Sequence, residues 1–166
     1  MKITDNVISQ NVLDKIFSVI TGPNFPWYLQ KSITKDDGNF QFTHQLCTNE
    51  GVMSSLDILF DELYAFIGIK ELMRSKINLL YRTNKIKIFE LHNDFGLDVE
   101  PYKTAIFYFN TNNGYTLFSD GTKVDSVKNR LVQFDGYTSH TGTTHTSDER
   151  FRLVLNINYR WWLKIL

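Results

Sequence analysis

Cysteine is almost absent from the sequence, and proline and glycine are scarce. Cys47 is the only cysteine, and the 166 residues include three prolines and nine glycines. A single cysteine excludes an internal disulfide and a zinc site built from several thiolates. The low proline and glycine content excludes a collagenous or low-complexity chain. One unpaired cysteine suits a reducing compartment.

The sequence also lacks an excess of charge of one sign. Lysine and arginine total 18, aspartate and glutamate total 18, and the formal net charge is zero. A strong nucleic-acid binder needs a basic surface that neutralises phosphates. We therefore expect no nucleic-acid partner.

Long apolar runs are missing as well. No segment approaches the roughly 18 apolar residues of a membrane-spanning helix. Residues 1–6 lack the basic and then apolar layout of a signal peptide. The sequence therefore predicts a cytoplasmic protein with no membrane partner.

Apolar and aromatic side chains are present in quantity. Apolar residues make up 42% of the chain and aromatic residues 14%, a composition that belongs to a folded domain rather than to a disordered chain. The length fits one domain that spans residues 1–166. Within it, residues 1–76 are predicted to form a helical support region and residues 77–160 a β-rich core.

Two segments of the N-terminal region carry a helical pattern. Apolar residues recur at three- and four-residue spacing over residues 6–20 and again over residues 49–68. Thr21-Gly22-Pro23 is expected to end the first helix. Between the two helices, residues 40–46 are predicted to form a strand.

From residue 77 onward, short apolar segments are separated by turn residues. Residues 77–81 and 85–91 are predicted strands, and residues 104–110 form a nearly continuous apolar run, as in a strand buried on both faces. Further short strands are predicted over residues 115–119, 122–127, 130–134 and 151–159. This even spacing predicts a mostly β fold, either a sandwich or a barrel.

The residues best suited to chemistry centre on His92-Asn93-Asp94. Side chains two positions apart on an extended chain point to the same side, so His92 and Asp94 can bind one face of a metal ion. His140 lies far enough along the chain to return on another strand. Two histidines and one carboxylate form the facial triad of non-haem Fe(II) sites, which leaves open positions for an oxidant and a substrate.

An arginine heads the strand that follows His140. Arg152 directly precedes Leu153-Val154-Leu155-Asn156, and an arginine that points inward along such a strand is costly unless an anion pairs with it. Arginine also binds carboxylates through two parallel hydrogen bonds. A metal triad beside a buried arginine describes a site for a dicarboxylate cosubstrate. Arg150, two residues earlier on the same face, is the alternative to Arg152.

The other histidines and the cysteine are not assigned to this site. His145 lies at an odd offset from His140, which puts the two on opposite faces of one strand, and we predict a loop or surface histidine. His44 is predicted to be structural, and Cys47 is predicted to be a small core residue.

His92-x-Asp94, then His140, then Arg152 resembles the pattern of the 2-oxoglutarate/Fe(II)-dependent dioxygenase superfamily. The resemblance implies that His92, Asp94 and His140 are the iron ligands, with no catalytic residue beyond them. It also implies that Arg152 holds the distal carboxylate of 2-oxoglutarate.

The flanking sequence is similar to the prolyl-4-hydroxylase-like branch of that superfamily. Residues 103–118 are similar to its strand pair and residues 130–136 to the strand that follows, while residues 140–144 and 152–159 resemble the closing strands of small phage and bacterial members. The resemblance extends over residues 77–160. It implies a double-stranded β-helix, or jelly roll, with N-terminal supporting helices.

The resemblance extends to two tyrosines and to the reaction. Tyr108 matches a strand tyrosine that often shares the distal carboxylate, and Tyr81 matches a further cosubstrate contact. The implied protein is an oxidoreductase that needs Fe(II), 2-oxoglutarate and O2 and hydroxylates a C–H bond of a protein side chain or small metabolite, releasing succinate and CO2. The alternatives are a catalytically silent jelly-roll module for binding or structure and a nucleobase-oxidising dioxygenase. The substrate and the oligomeric state are left open.

Overall fold

The N-terminal half of the chain contributes both strands and helices. The computed structural model describes residues 1–33, 38–96 and 99–162. The strands of the first half are β1 (Lys2–Asp5), β2 (Tyr28–Gln30), β3 (Gln41–Thr48), β4 (Gly51–Val52) and β5 (Glu71–Tyr81). The helices are α1 (Gln10–Ile20), a 3-10 helix (Ser55–Phe60) and α2 (Asp61–Ile67).

The C-terminal half is built from strands alone within the described ranges. They are β6 (Lys103–Tyr108), β7 (Tyr115–Phe118), β8 (Lys123–Asp125), β9 (Arg130–Asp135), β10 (His140–Gly142) and β11 (Phe151–Arg160). The large sheet has the order β1-β9-β6-β11-β5-β3-β2, and β4 pairs with β3. The small sheet has the order β10-β7-β8. These antiparallel sheets form the mostly β jelly roll that the sequence predicted.

α1 covers one face of the large sheet. Ser9 caps its start, because the Ser9 side chain accepts a hydrogen bond from the backbone N–H of Val12. Leu13, Ile16 and Ile20 share one side of the helix and are fully or almost fully buried. They pack in one hydrophobic cluster with side chains of α2 and of the large sheet. The apolar spacing of this segment therefore forms the buried side of a helix, as predicted.

β11 is buried on both faces. Leu153, Leu155 and Ile157 pack in the cluster on the helix side. Val154 packs instead in a second cluster with Phe118 and Val124 of the small sheet and with residues of β6 and β9. Because successive side chains alternate across a strand, the even-numbered residues of β11 face the space between the two sheets.

Asn129 fixes the segment that leads into α1. Its Oδ1 accepts hydrogen bonds from the backbone N–H groups of Val7 and Ile8 at 3.0 and 3.1 Å. Its Nδ2 donates to the backbone carbonyl of Ile8 at 2.7 Å. The backbone of Asn129 has φ 63°, a left-handed conformation that asparagine adopts more readily than most residues.

The structure differs from the sequence prediction in how it divides the chain. Residues 1–76 are not only helical support, because β1–β4 and the first part of β5 lie within them. β5 crosses the predicted boundary between residues 76 and 77. Residues 49–68, predicted to be helical throughout, hold β4, the 3-10 helix and α2 in succession.

Residues 85–91 were predicted to form a strand and make only an isolated bridge, between Ile88 and Thr143. Ile88 is 53% exposed whereas Phe89 is buried, so the Ile86–Ile88 alternation does not mark the buried face. The Thr144 hydroxyl accepts the hydrogen bond of the Lys87 N–H, and side-chain contacts of this kind replace a regular ladder. None of the helices formed by the described residues is long and apolar enough to cross a membrane.

Candidate metal and cosubstrate site

His92 and His140 lie side by side on neighbouring segments. The backbone N–H of each donates to the carbonyl of the other, and both N···O distances are 3.0 Å. The two rings consequently lie with their centroids 5.1 Å apart. Phe134 and Phe118 pack against the His140 ring at centroid distances of 4.8 and 6.3 Å. A reciprocal pair of backbone hydrogen bonds therefore fixes the spacing of the two imidazoles.

The tautomer of each imidazole follows from its hydrogen bond. Nδ1 of His92 lies 3.2 Å from the carbonyl of Glu90, and Nδ1 of His140 lies 3.1 Å from the carbonyl of Thr138. A carbonyl only accepts, so each Nδ1 carries a proton and donates it to the carbonyl, and Nε2 is the ring nitrogen left to face a metal. Burial lowers the pKa of His140, which favours the neutral form that binds metals.

Asp94 completes the group. Its Oδ1 lies 2.5 Å from Nη2 of Arg74, and its Oδ2 accepts a hydrogen bond of 2.8 Å from Asn158 Nδ2. Burial by itself would raise the pKa of Asp94, but Arg74, His140 and the Asn158 amide outweigh it and hold the pKa well below its usual range. The carboxylate is therefore ionised at neutral pH although its side chain is only 5% exposed.

One ligand atom from each of His92, Asp94 and His140 lies within 4.8 Å of the others. Two imidazoles and one ionised carboxylate at this spacing fit a non-haem Fe(II) ion with open coordination positions. Asn93, between the first two residues, donates to the Tyr137 carbonyl at 2.6 Å and accepts from the Ser139 hydroxyl at 3.1 Å. These bonds tie the His92–Asp94 turn to the segment that carries His140.

Arg152 is a buried cation with no ion pair to any described carboxylate. The residue is 2% exposed. Its Nε donates to the Ser126 hydroxyl at 2.8 Å, its Nη2 donates to the Thr116 hydroxyl at 3.4 Å, and its guanidinium lies over the Tyr108 ring. Burial lowers the pKa of Arg152, but arginine stays protonated in proteins. A buried charge with only neutral partners is costly unless an anion reaches it.

One pocket joins Arg152 to the candidate metal ligands. Its walls include Arg152, Thr116 and Gly142 together with His92, Asp94 and His140. β5, β6 and β11 of the large sheet and β7 and β10 of the small sheet line it. It therefore lies between the two sheets, on the face of β11 that carries the even-numbered residues. This arrangement brings together the four residues that the sequence singled out first.

The structure separates the remaining predicted residues. Arg150 is exposed and precedes β11, so it lies outside this pocket and Arg152 is the inward arginine. Tyr108 is fully buried beside Arg152, and its hydroxyl forms a 2.7 Å hydrogen bond with the hydroxyl of Thr116. Tyr81 lies on the opposite face of β5 from the pocket residue Leu80 and stacks on Phe40 at 4.5 Å. The pocket therefore does not include Tyr81.

Several pocket residues of the large sheet carry no recognisable motif in the sequence. Lys76 and Asn78 on β5 and Asn156 on β11 line the pocket. The Oδ1 atoms of Asn78 and Asn156 are buried without a hydrogen-bond partner among the described residues. Lys76 and Asn78 alternate with the buried residues Ser75 and Ile77 along β5, and this alternation was the only sequence signal for them. Polar residues in such a pattern are usually assigned to the solvent side of a sheet. Here their face is covered by the small sheet.

His145 is not the surface residue that the sequence suggested. It lies outside regular strands, as predicted for a loop, but it is fully buried. Its backbone carbonyl accepts from the Thr83 N–H at 3.0 Å, which draws the segment inward. His44 is buried between the Pro26 carbonyl and the Ser54 hydroxyl. Both histidines lie outside the group formed by His92, Asp94 and His140.

Comparison with known proteins gives matches in structure only. No family model and no curated protein matches the sequence. The structure is similar to an oxidoreductase of the 2OG-Fe(II) oxygenase family from Burkholderia pseudomallei, with a TM-score of 0.71 and 10% identity over 95% of this chain and 84% of that chain. It is also similar to a prolyl-4-hydroxylase from Pseudomonas putida, with a TM-score of 0.58 and 13% identity over 96% and 91% of the two chains.

A third similar structure is a non-heme alpha ketoglutarate dependent carbocyclase from nogalamycin biosynthesis. Its TM-score is 0.67 and its identity is 13%, over 95% of this chain and 78% of that chain. These proteins are named for different reactions, and at such identities the likeness concerns architecture. The chain has the jelly-roll fold of the 2OG-Fe(II) oxygenases.

Proposed function

We propose that the protein is a non-haem Fe(II)- and 2-oxoglutarate-dependent dioxygenase of the prolyl-4-hydroxylase-like branch. It would hydroxylate a C–H bond of a protein side chain or small molecule. One oxygen atom of O2 would enter the substrate and the other would enter succinate, with release of CO2 from 2-oxoglutarate. The domain that does this would span the whole chain.

Arg152 carries the most weight in this proposal. It is buried in the wall of a pocket that two imidazoles and an ionised carboxylate also line, and no described carboxylate pairs with it. A binding or structural module has no need for an unneutralised buried cation that faces a metal-binding group. A dicarboxylate bound in this pocket would neutralise the arginine with one carboxylate and reach the metal with the other.

Each residue would have a separate task. His92, Asp94 and His140 would hold Fe(II), which when bound supplies the redox chemistry with O2. Arg152 would hold the distal carboxylate of 2-oxoglutarate, supported by Thr116, while Tyr108 stacks against the arginine. Arg74 and Asn158 would keep the Asp94 carboxylate oriented. The two sheets would exclude water from the inner pocket.

The deciding experiment is turnover without a prime substrate. Purified protein is incubated with Fe(II) and 2-oxoglutarate, aerobically and anaerobically, and succinate is measured by mass spectrometry. We expect slow O2-dependent succinate formation that is lost in His92→Ala and kept in Arg150→Gln, a variant of an exposed arginine outside the pocket.

Binding of 2-oxoglutarate to Mn(II)-loaded protein is measured alongside, because uncoupled turnover can be slow. Binding without succinate would leave the cosubstrate site intact and direct the search to the substrate. Absence of both binding and succinate would contradict the proposal in favour of a silent jelly-roll module.

A further inference from the structure

Lys76 lies where the inner pocket meets an outer groove. It lines the pocket that contains Arg152 and the candidate metal ligands. It also lines a second, more open groove, whose other walls include Gln30, Glu90 and Leu91. Those three residues do not line the inner pocket. His92 and Asp94 line both spaces as well, so a molecule in the groove would reach the candidate metal ligands beside Lys76.

The ammonium group of Lys76 has no partner of its own. No hydrogen bond or ion pair joins it to any residue within 1–33, 38–96 or 99–162, whereas Arg74, two residues earlier, is bound to Asp94 and Asn158. Burial and the nearby charge of Arg74 lower the pKa of Lys76 to about 8. The group thus still carries its charge at neutral pH, and a half-buried charge without an acceptor is costly.

The charges around the pocket indicate the sign of the missing partner. A divalent iron, the Asp94 carboxylate, both carboxylates of 2-oxoglutarate and the Arg152 guanidinium would together be neutral. Arg74 and Lys76 add two positive charges near the groove, and Glu90 adds one negative charge at its wall. The groove would therefore keep a net positive charge after metal and cosubstrate have bound, which favours an anionic ligand.

We propose that Lys76 binds an anionic group, a carboxylate or a phosphate, of the substrate that enters through the outer groove. This inference rests on the proposed function, because the cosubstrate accounts for Arg152 and the metal and leaves Lys76 for a second molecule. An ammonium is a point charge that accepts either anion. The substrate is therefore an acidic molecule, or a peptide with an acidic or phosphorylated residue, rather than a neutral one.

Inorganic phosphate is a suitable probe, because its binding can be followed without turnover. Protein loaded with Mn(II) and 2-oxoglutarate is titrated with phosphate, and the paramagnetic relaxation of the 31P signal reports an anion held close to the metal. We expect saturable enhancement in the wild-type protein. In Lys76→Met the dissociation constant should rise roughly tenfold or more, as for loss of a buried charge pair.

Three further measurements make the test specific. Lys76→Arg keeps the charge and should retain binding, and Lys85→Met removes an exposed lysine and should leave binding unchanged. The affinity for 2-oxoglutarate is measured in each variant. It should stay within about twofold of wild type in Lys76→Met, because this lysine is not assigned to the cosubstrate.

Two results would overturn the assignment. Equal phosphate binding in wild type and Lys76→Met, or none in either, would show that Lys76 holds no anion near the metal. A large loss of 2-oxoglutarate affinity in Lys76→Met would show that the lysine serves the cosubstrate instead. Both results presuppose wild-type protein that binds Mn(II) and 2-oxoglutarate. If wild type binds neither, the proposed function itself has failed.

Discussion

The guanidinium of Arg74 lies 2.5 Å from one oxygen of the Asp94 carboxylate. The other oxygen lies 3.9 Å from Nε2 of His140. Asp94 is therefore both a candidate metal ligand and the counterion of a largely buried arginine. The two roles can be separated experimentally, because His92 has only the first.

Asp94→Ala should lower the stability of the metal-free protein, whereas His92→Ala should change it little. Removing one member of a buried ion pair leaves the other charge unpaired. We expect a loss of about 2–3 kcal/mol, below the fully buried case because the Arg74 side chain is 21% exposed. Urea unfolding of both variants in the presence of a chelator measures the difference, and equal stabilities would contradict the paired role of Asp94.

Metal binding should depend on each histidine of the triad and on no other. His92→Ala and His140→Ala should each weaken Mn(II) binding strongly, because a two-ligand site remains. His145→Gln is the control, since His145 is also buried but lies outside the group. Electron paramagnetic resonance of free Mn(II) gives the affinities. Loss of binding in His145→Gln, in a variant that melts like wild type, would mean that the histidine assignment is wrong.

Arg152→Gln should weaken 2-oxoglutarate binding and leave metal binding intact. Loss of a buried charge-assisted pair costs about 2–5 kcal/mol, so the dissociation constant should rise more than about tenfold. Arg150→Gln is a matched control two residues away, because Arg150 is exposed and outside the pocket. Calorimetric titration of Mn(II)-loaded protein measures both variants. A larger effect in Arg150→Gln would reverse the assignment.

Asn129→Ala should destabilise the protein without touching the site. It removes three hydrogen bonds to Val7 and Ile8. It also places alanine at a left-handed backbone position, which asparagine adopts more readily. We expect a loss of about 2–4 kcal/mol, from two or three hydrogen bonds at about 1 kcal/mol each and the backbone strain. Urea unfolding gives this value, and unchanged Mn(II) affinity of the folded variant would show that the effect is confined to stability.

The stability difference between wild type and Lys76→Met should depend on pH. The folded-state pKa of Lys76 is about 8, below the unfolded value of about 10.4. Between these pH values the unfolded chain binds more protons than the folded protein does. The wild-type free energy of unfolding therefore increases as the pH rises. The Lys76→Met variant lacks this increase in the free energy of unfolding. Urea unfolding at about pH 7.5 and about pH 9.5 should show wild type improving relative to the variant, while Lys85→Met should follow wild type.

Local sequence patterns predicted the parts of this protein in which apolar and polar residues have their usual places. Leu13, Ile16 and Ile20 showed the buried side of α1, and the apolar run of residues 104–110 matched a strand covered on both faces. His92, Asp94 and His140 could be proposed together because an extended chain places alternate side chains on one side.

Sequence patterns failed where polar residues face inward. Arg74 and Lys76 alternate with buried neighbours on β5, a pattern typical of a solvent-exposed face. Here Arg74 contacts Asp94 and Phe95, and Arg74 and Lys76 both line a groove with residues 90–94. His145 was predicted to lie in a loop or on the surface because of its odd offset from His140. Thr83 donates hydrogen bonds to its backbone carbonyl, and the side chain is fully buried. Tyr81 was assigned by position relative to His92, which carries no information about which face of β5 the ring occupies.

The alternation along β11 has a consequence for how this protein can change. Leu153, Leu155 and Ile157 belong to the helix-side cluster, whereas Arg152, Val154 and Asn156 line the pocket. Substitutions at the even-numbered residues of β11 can therefore change the pocket, while the odd-numbered residues continue to stabilise the fold. A mutagenesis library restricted to the even positions should yield folded variants with altered ligand preferences, and the same diversity at the odd positions should yield mostly unfolded chains.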